Sequence, residues 1–433
     1  MHHPPPAPTF REALAFWARL GVVSFGGPAG QIAIMHTFLV DQKRWISDRK
    51  FLHALNYCML LPGPEAQQLA TYTGWMLHGT RGGLAAGILF VLPSTLILWA
   101  LSVLYVTYGG LAQVQAAFLF LKPAVLAIVA GAIVKIGKKS LQSLLHYCVA
   151  AAAFVAIYWG NVPFPLIIAG AILTGIVMHR WSVSKSIQNI QQASDDTVEQ
   201  AWFINSHTVL DHTGFSWHRL LRQMLTAGLL WFIPLLILAA GTDFDFWKRL
   251  CLFFSQAALV TFGGAYAVLP YVAQVSVEQF GWLTHLQMLD GLALGETTPG
   301  PLIMVLAFVG FMAGYNTFAG SLGAATLGLA LTVYYTFLPS FLFIFAGAPL
   351  IERTRTNPAV KSVLQYATSA VVGVILSLCL FLGKAVIVPH PPEIEWVALV
   401  WTAISLAALQ FLNVNLMWWI GVSVLAGVIW SAV

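Results

Sequence analysis

Charge is what this chain has least of. Only 9% of its 433 residues are Asp, Glu, Lys or Arg, against about a quarter in soluble globular domains. A surface so poor in charge cannot be wetted in the ordinary way, and the soluble fold classes are excluded. Cysteine is scarce too: Cys58, Cys148, Cys251 and Cys379 stand apart without C-x-x-C spacing, which argues against a metal or redox site and leaves core packing as their role. No phosphate-binding G-x-x-x-x-G-K-[ST] loop is present, so ATP drive within the chain is not expected. No clustered Ser/His, Asp/Asp or H-E-x-x-H pattern points to an intramembrane enzyme. The start, MHHPPPAPTFREALAFW, has no uncharged run ending at a small-residue cleavage site; no signal peptide is expected, and residues 1–10 read as a disordered Pro-rich tail.

What the chain has is apolar length. Hydrophobic residues make up 59% of it, and the stretches 83–107, 113–134, 163–178, 223–240, 318–347, 368–383 and 396–412 include several of the about 20 residues that a bilayer span requires. The fold class is therefore an all-α polytopic membrane protein. The net charge of +5 is partly explained by cytoplasmic loops and does not by itself imply an anionic substrate.

The sequence also repeats. An offset of 237 residues carries Phe25-Gly26-Gly27 onto Phe262-Gly263-Gly264 and Pro62-Gly63-Pro64 onto Pro299-Gly300-Pro301, and places Asp41-Gln42 on Glu278-Gln279, Trp45 on Trp282 and Ser47 on Thr284. Two homologous halves follow, about 10–180 and 246–433, a common plan for transporters. Loop charge tests their orientation. VDQKRWISDRK in the first half holds Lys43, Arg44, Arg49 and Lys50, while its counterpart VEQFGWLTHLQ holds no Lys or Arg. The next pair reverses, TYGGLAQVQ against ERTRTNPAVK. Since cytoplasmic loops collect Lys and Arg, equivalent loops are expected on opposite sides, which is an inverted-topology repeat. The predicted order is a first repeat over 11–180, a polar cytoplasmic linker over 181–216, an extra span over 217–240 that supplies the flip, and a second repeat over 246–433. The N-terminus is expected in the cytoplasm, and the motif units are expected to dip in and return.

Each motif breaks a helix. Pro is tolerated in a helix's first turn and poorly in its interior, so one helix is predicted to end near Phe25 and the next to begin near Pro28. The same break falls at Gly263-Gly264, and new starts follow at Pro64 and Pro301. Broken helices in lipid leave unpaired backbone groups that only protein or a water-filled cavity can meet. Their N-termini offer free N–H groups and partial positive charge suited to an anion. Four such starts, related by a pseudo-two-fold axis, are expected to converge near the midplane. Packing kinks are the alternative.

These motifs carry a resemblance. S-F-G-G-P-x-x-Q-I-x-x-x-H, the following D-x-x-x-W, and LPGPEAQQLATYTGW resemble the signature of the chromate ion transporter family. FGGAYAVLPYV and TTPGP resemble its second copy, as in the long two-domain members. The resemblance covers essentially the whole chain and implies export of chromate, with sulfate as the structural analogue. The second copy departs at Ala265, Val268 and Ala273, where the first has Pro28, Gln31 and His36, so the half-sites are not equivalent and the first is expected to carry more polar contacts.

Other polar groups complete the expected site. Gln68, Thr71 and Tyr72 share a helix face after Pro64 and can donate to oxyanion oxygens, with helix–helix contact as the other role. Lys122, beside Pro123 in an apolar span, is the buried cation candidate, although a lysine there can also snorkel. Glu65 and Glu296 flank the two Pro-Gly-Pro turns and suit a coupling proton or a cation such as Arg81, while Glu65 as a helix cap is the plainer reading. Trp45 and Trp282 read as interfacial anchors. The expected partners are a small inorganic oxyanion, chromate or sulfate, and the lipid bilayer of the inner (cytoplasmic) membrane. No nucleic acid, cofactor or metal is expected, and a homodimer is left open.

Overall fold

The computed structural model describes residues 6–25, 27–182, 201–205, 208, 216–241, 243–262, 264–351, 358–389, 393–412 and 414–431. Gly26, Gly263 and most of the expected 181–216 linker lie outside the described residues.

The first half begins with α1 (Phe10–Val23), α2 (Gly27–His36), a π-helical turn (Thr37–Gln42) and α3 (Asp48–Cys58). It continues through α4 (Glu65–Tyr108), α5 (Ala112–Ser140), α6 (Leu144–Tyr158) and α7 (Phe164–Ser182). After α8 (Trp217–Ala239) the same order returns: α9 (Phe244–Leu259), α10 (Ala265–Gln274), a second π-turn (Val275–Gln279), α11 (His285–Thr297), α12 (Val305–Thr317) with α13 (Leu322–Ile351), α14 (Pro358–Ile387), α15 (Trp396–Gln410) and α16 (Leu416–Trp430). α12 and α13 together match α4, which is itself broken at His78 and Gly79 (φ +59°). The stretch expected to span 83–107 thus belongs to a helix that starts eighteen residues earlier and breaks before entering that span.

The local reasons for these boundaries recur at the 237-residue offset. Ser47 caps α3 through the Lys50 N–H, and Thr284 caps α11 in a reciprocal box with Gln287; side-chain oxygens there satisfy amides that the first turn leaves unpaired. Left-handed backbone also repeats, at Gly27 and Gly264 (φ +72° and +96°), Arg44 and Gly281 (+52° and +60°), and Gly63 and Gly300 (+122° and +99°). L-residues avoid that region, which accounts for the second glycine of each Phe-Gly-Gly.

α1 and α2 form a helical hairpin. Its ends are joined by the Lys43–Glu12 ion pair at 2.8 Å and by Phe16 stacked on Phe38 at 3.8 Å, so its tip is the break at Ser24–Gly27. α3 and the first part of α4 form a second hairpin with its tip at Pro62–Pro64. Its far end at His78 returns to the same base, where His78 meets the Pro8 carbonyl at 2.9 Å and the Phe10 ring. The second half repeats this with aromatic closures, Phe253 on Phe280 and Trp247 stacked on Phe318.

The halves interlock. α6 and α7 pack along α14, and α15 and α16 pack along α5. Two pairs of helices of the same rank pack antiparallel. Along α4 and α13, Gly83 faces the Phe345 ring, Gly87 faces Phe341, and Trp99 Nε1 donates to Thr326 Oγ1 at 3.0 Å. Along α5 and α14, Ser369 Oγ donates to the Ser140 carbonyl at 3.3 Å, and a Cβ on Gly383 would touch Leu126. α8 lies outside, with Leu235 its buried residue, held where Tyr335 donates to the Trp231 carbonyl at 2.8 Å and Trp231 donates to Ser255 at 2.8 Å. Of the cysteines, Cys58 and Cys251 are buried, but Cys148 is exposed, which corrects the expectation of core packing for it.

Candidate functional site at four broken helices

Two hydrogen bonds define the centre. The Gly63 N–H donates to the Thr261 carbonyl at 2.7 Å, and the Gly300 N–H donates to the Ser24 carbonyl at 2.7 Å. Each joins a Pro-Gly-Pro tip of one half to the Phe-Gly-Gly tip of the other, and the offset of 237 converts one bond into the other. A contact whose image exchanges the partners is the mark of a two-fold relation.

Side chains secure the carbonyls that these turns leave over. Gln31 Nε2 donates to the Gly300 carbonyl at 2.6 Å and reaches the Ser24 carbonyl at 3.4 Å. Ser94 Oγ donates to the Pro299 carbonyl at 2.5 Å and Gln68 Nε2 to the Pro62 carbonyl at 2.7 Å. Gln67 Nε2 donates to Thr71 Oγ1 at 3.0 Å. The amides of Gln31 and Gln68 therefore spend donors on the protein's own turns.

Other groups remain unpaired. The side-chain oxygens of Gln31, Gln67 and Gln68 and the hydroxyls of Ser24 and Ser340 are buried without a partner among the described residues. Leaving such an atom unsatisfied costs about 1–3 kcal/mol, and buried polar atoms are otherwise almost always paired. Ser24 and Gln31 flank the Gly300–Ser24 bond, and Gln68 and Ser340 flank the turn that carries the Gly63–Thr261 bond, so unpaired polar atoms attend both tips. Ser340, beside Gly63, is a candidate site residue the motifs did not reveal. Its signal is the stripe Thr332, Thr336, Ser340 on α13, one turn apart in an apolar run and all three with unpaired hydroxyls.

The two Phe-Gly-Gly starts differ. Nothing lies within 4 Å of where a Cβ on Gly27 would sit, so the start of α2 with Pro28 opens onto space. At Gly264 the same position lies 3.7 Å from Glu65 Oε1, and two residues on Tyr266 donates to Glu296 Oε1 at 2.6 Å. The start of α10 is thus flanked by two carboxylates. Phe25 is exposed and Phe262 half-buried. Pro64 caps α4 and Pro301 the short turn before α12.

Three expected site residues lie elsewhere. His36 ends α2, about 13 Å along the helix from Gly27 at 1.5 Å per residue; it meets Asp48 at 2.7 Å and Asp41 at 3.4 Å, so two carboxylates occupy it. Lys122 pairs with Asp290 at 3.3 Å, and Tyr105 donates to Asp290 at 2.8 Å. The buried-cation candidate therefore has its charge already matched across the halves. Arg81 is exposed just past the α4 break.

An interlocked bundle of apolar helices, five of them long and apolar enough to cross a membrane among the described residues, with broken helices meeting at its core, defines a multi-pass membrane protein. The chain belongs to the chromate transporter family, whose model matches residues 11–176 and again 247–428; it is a transporter of the two-domain type and not an enzyme. It is 29% identical over 408 residues to the chromate transport protein of Cupriavidus metallidurans, covering 93% of this chain and 90% of that one. It is 30% identical over 378 residues to the chromate transport protein of Pseudomonas aeruginosa, covering 86% and 80%. It is 29% identical over 384 residues to a probable chromate transport protein of Synechococcus elongatus, covering 88% and 86%. No solved structure matches the chain.

Proposed function

We propose that this protein exports chromate across the inner membrane as a secondary active carrier, taking sulfate as a close analogue, with the oxyanion held where the four broken helices meet. The observation that carries the reading is the exchanged pair of bonds, Gly63 to Thr261 and Gly300 to Ser24, with unpaired polar atoms gathered around it. Broken helices whose N-termini face a shared point at mid-depth suit an anion that must be bound and released from either side.

The halves act as an inverted repeat. Antiparallel packing of α4 with α13 and of α5 with α14 favours a two-fold axis in the membrane plane, because an axis along the membrane normal would run same-rank helices parallel. Loop charge supports a cytoplasmic base for the first-half hairpins, and with it a cytoplasmic N-terminus. In this reading the dianion lies at the start of α2, against the open side of Gly27 and the Ser24 hydroxyl. Glu65 and Glu296, beside α10, carry protons in the opposite direction. A dianion and a bare carboxylate exclude one another at short range in low dielectric, so proton loading and anion release are linked.

The test is flux in proteoliposomes, with chromate, sulfate and pH gradient varied separately. Chromate uptake should saturate, accelerate with chromate on the opposite side, and be competed by sulfate. Glu65→Gln and Glu296→Gln should keep chromate exchange but lose its dependence on the pH gradient. No flux from folded protein removes the substrate assignment; flux that follows voltage without saturation makes the protein a channel.

A further inference from the structure

Apart from the central tips, one cavity of about 360 Å³ opens beside the second-half hairpin, between α9, α10, the second π-turn and the start of α7. That volume lies in the roughly 300–1,000 Å³ range of small-molecule sites. Its polar lining is unusual for a membrane helix bundle. Arg249 and Gln256 come from α9, Gln274 and Gln279 from α10 and the turn, and no carboxylate lines it among the described residues. None of these four side chains has a hydrogen-bond or ion-pair partner among the described residues; Arg249 only rests over the Phe280 ring, 5.6 Å from its centre. Gln256 sits twelve residues into α9, about 18 Å from its start at 1.5 Å per residue, and one turn short of the break that leads to Thr261. An exposed amide at that depth, facing lipid alone, would be costly; facing water and a ligand it is not.

The first half at the same offset is arranged differently. Glu12 and Lys43 stand where the second half has Arg249 and Phe280, and they form the 2.8 Å ion pair that joins the hairpin base. The sign of the charge is reversed and the cation is spent on a carboxylate, so an unpaired cation at this place is not a general consequence of the hairpin fold.

We infer that this cavity is a tetrahedral-oxyanion site on the route between the central tips and the membrane face at which the second-half hairpins begin, with Arg249 as its cation and Gln256, Gln274 and Gln279 as its neutral donors. An arginine fork with amide N–H groups and no carboxylate is selective for oxyanions through charge-assisted, paired hydrogen bonds. It is too exposed to hold a dianion as tightly as an enclosed site would, which suits a station from which the anion leaves. The oxyanion comes either from solution, as the transported substrate, or from a phospholipid headgroup at the cavity mouth. The first source rests on the reading of the chain as an oxyanion carrier.

The experiment uses the full chain in nanodiscs, with Cys148→Ser and Cys379→Ser removing the accessible thiols and Gln256→Cys as reporter. The rate of labelling by a membrane-impermeant maleimide is read with and without sulfate, which, unlike chromate, does not oxidise thiols. In phosphatidylcholine discs, labelling should occur and sulfate should slow it, whereas chloride at equal ionic strength should not. Adding Arg249→Gln should raise the half-protecting sulfate concentration about tenfold or more, the scale of one lost charge-assisted hydrogen bond. If protection instead appears only in discs containing phosphatidylglycerol, and is lost with Arg249→Gln, the site stands with a lipid headgroup as its occupant. A reporter that never labels, or labelling indifferent to sulfate, to anionic lipid and to Arg249, overturns the inference. The protection readout requires no flux, so a failed chromate assay leaves it standing, and normal flux does not rescue it.

Discussion

Lys122, Asp290 and Tyr105 show how single residues act at membrane depth. The ammonium and carboxylate are 3.3 Å apart, Asp290 is almost fully buried, and the tyrosine supplies a second bond. Removing one partner of such a pair leaves an uncompensated charge, at a cost of about 3–5 kcal/mol, whereas replacing both by apolar groups is often neutral. Asp290→Asn should therefore lower thermal stability in detergent by that order, and Lys122→Met combined with Asp290→Leu should recover most of it. If the double variant is as unstable as the single one, the pair does more than balance charge. The sequence exposed Lys122 as an intramembrane cation but not its match, because Asp290 lies 168 positions away in the other half, where no spacing rule connects them. Gly300 is the opposite case. Its φ of +99° and the Ser94 side chain standing where a Cβ would go make glycine obligatory there, and the Pro-Gly-Pro motif alone announced it.

At the scale of elements, the hairpin bases differ between halves although their tips match. In the first half the peptide after α7 comes back to the loop following the π-turn. Phe203 and Ile204 N–H groups donate to the Arg44 and Trp45 carbonyls at 3.0 and 2.9 Å, the Ser47 N–H donates to Ile204 at 2.8 Å, and Trp202 donates to Val40. Ile204 is wholly buried there. Among the described residues the second half has no such strap at the equivalent place; the Asn316 amide bonds the Trp282 carbonyl instead, at 2.8 Å. Ile204→Asp should detach the strap, and amide hydrogen exchange at 45–47 should speed up about tenfold or more as the local opening free energy falls, while 281–284 stay unchanged. Equal protection in both proteins would mean that the strap contributes nothing to the loop. The polar composition of 181–216 indicated a linker and hid this, since a five-residue pairing segment has too few residues to set up a periodicity. The helix breaks were legible because glycine and proline act through local sterics, and the Ser47 and Thr284 caps because capping is local too.

For the whole molecule, the inverted reading makes a direct prediction. A cysteine replacing Arg49 and one replacing Glu278, each in a background without accessible thiols, should be labelled from opposite sides in oriented vesicles; labelling from one side would mean a parallel repeat and would remove the shared mid-membrane site. The sequence by itself determined the class, because low charge and long apolar stretches admit only a membrane environment, and it determined the duplication and the broken helices, because composition, offset and the steric demands of glycine and proline are all readable along one chain. Only the tertiary structure decided that each Pro-Gly-Pro tip bonds the other half's Phe-Gly-Gly tip, that α6 and α7 pack on α14 while α15 and α16 pack on α5, that Lys122 is neutralised, and that one hairpin base is clasped by Glu12 and Lys43 while the other opens on Arg249. Those outcomes depend on which surfaces meet when two nearly equivalent halves interlock, and contacts between residues more than 150 positions apart leave no periodic trace in the sequence.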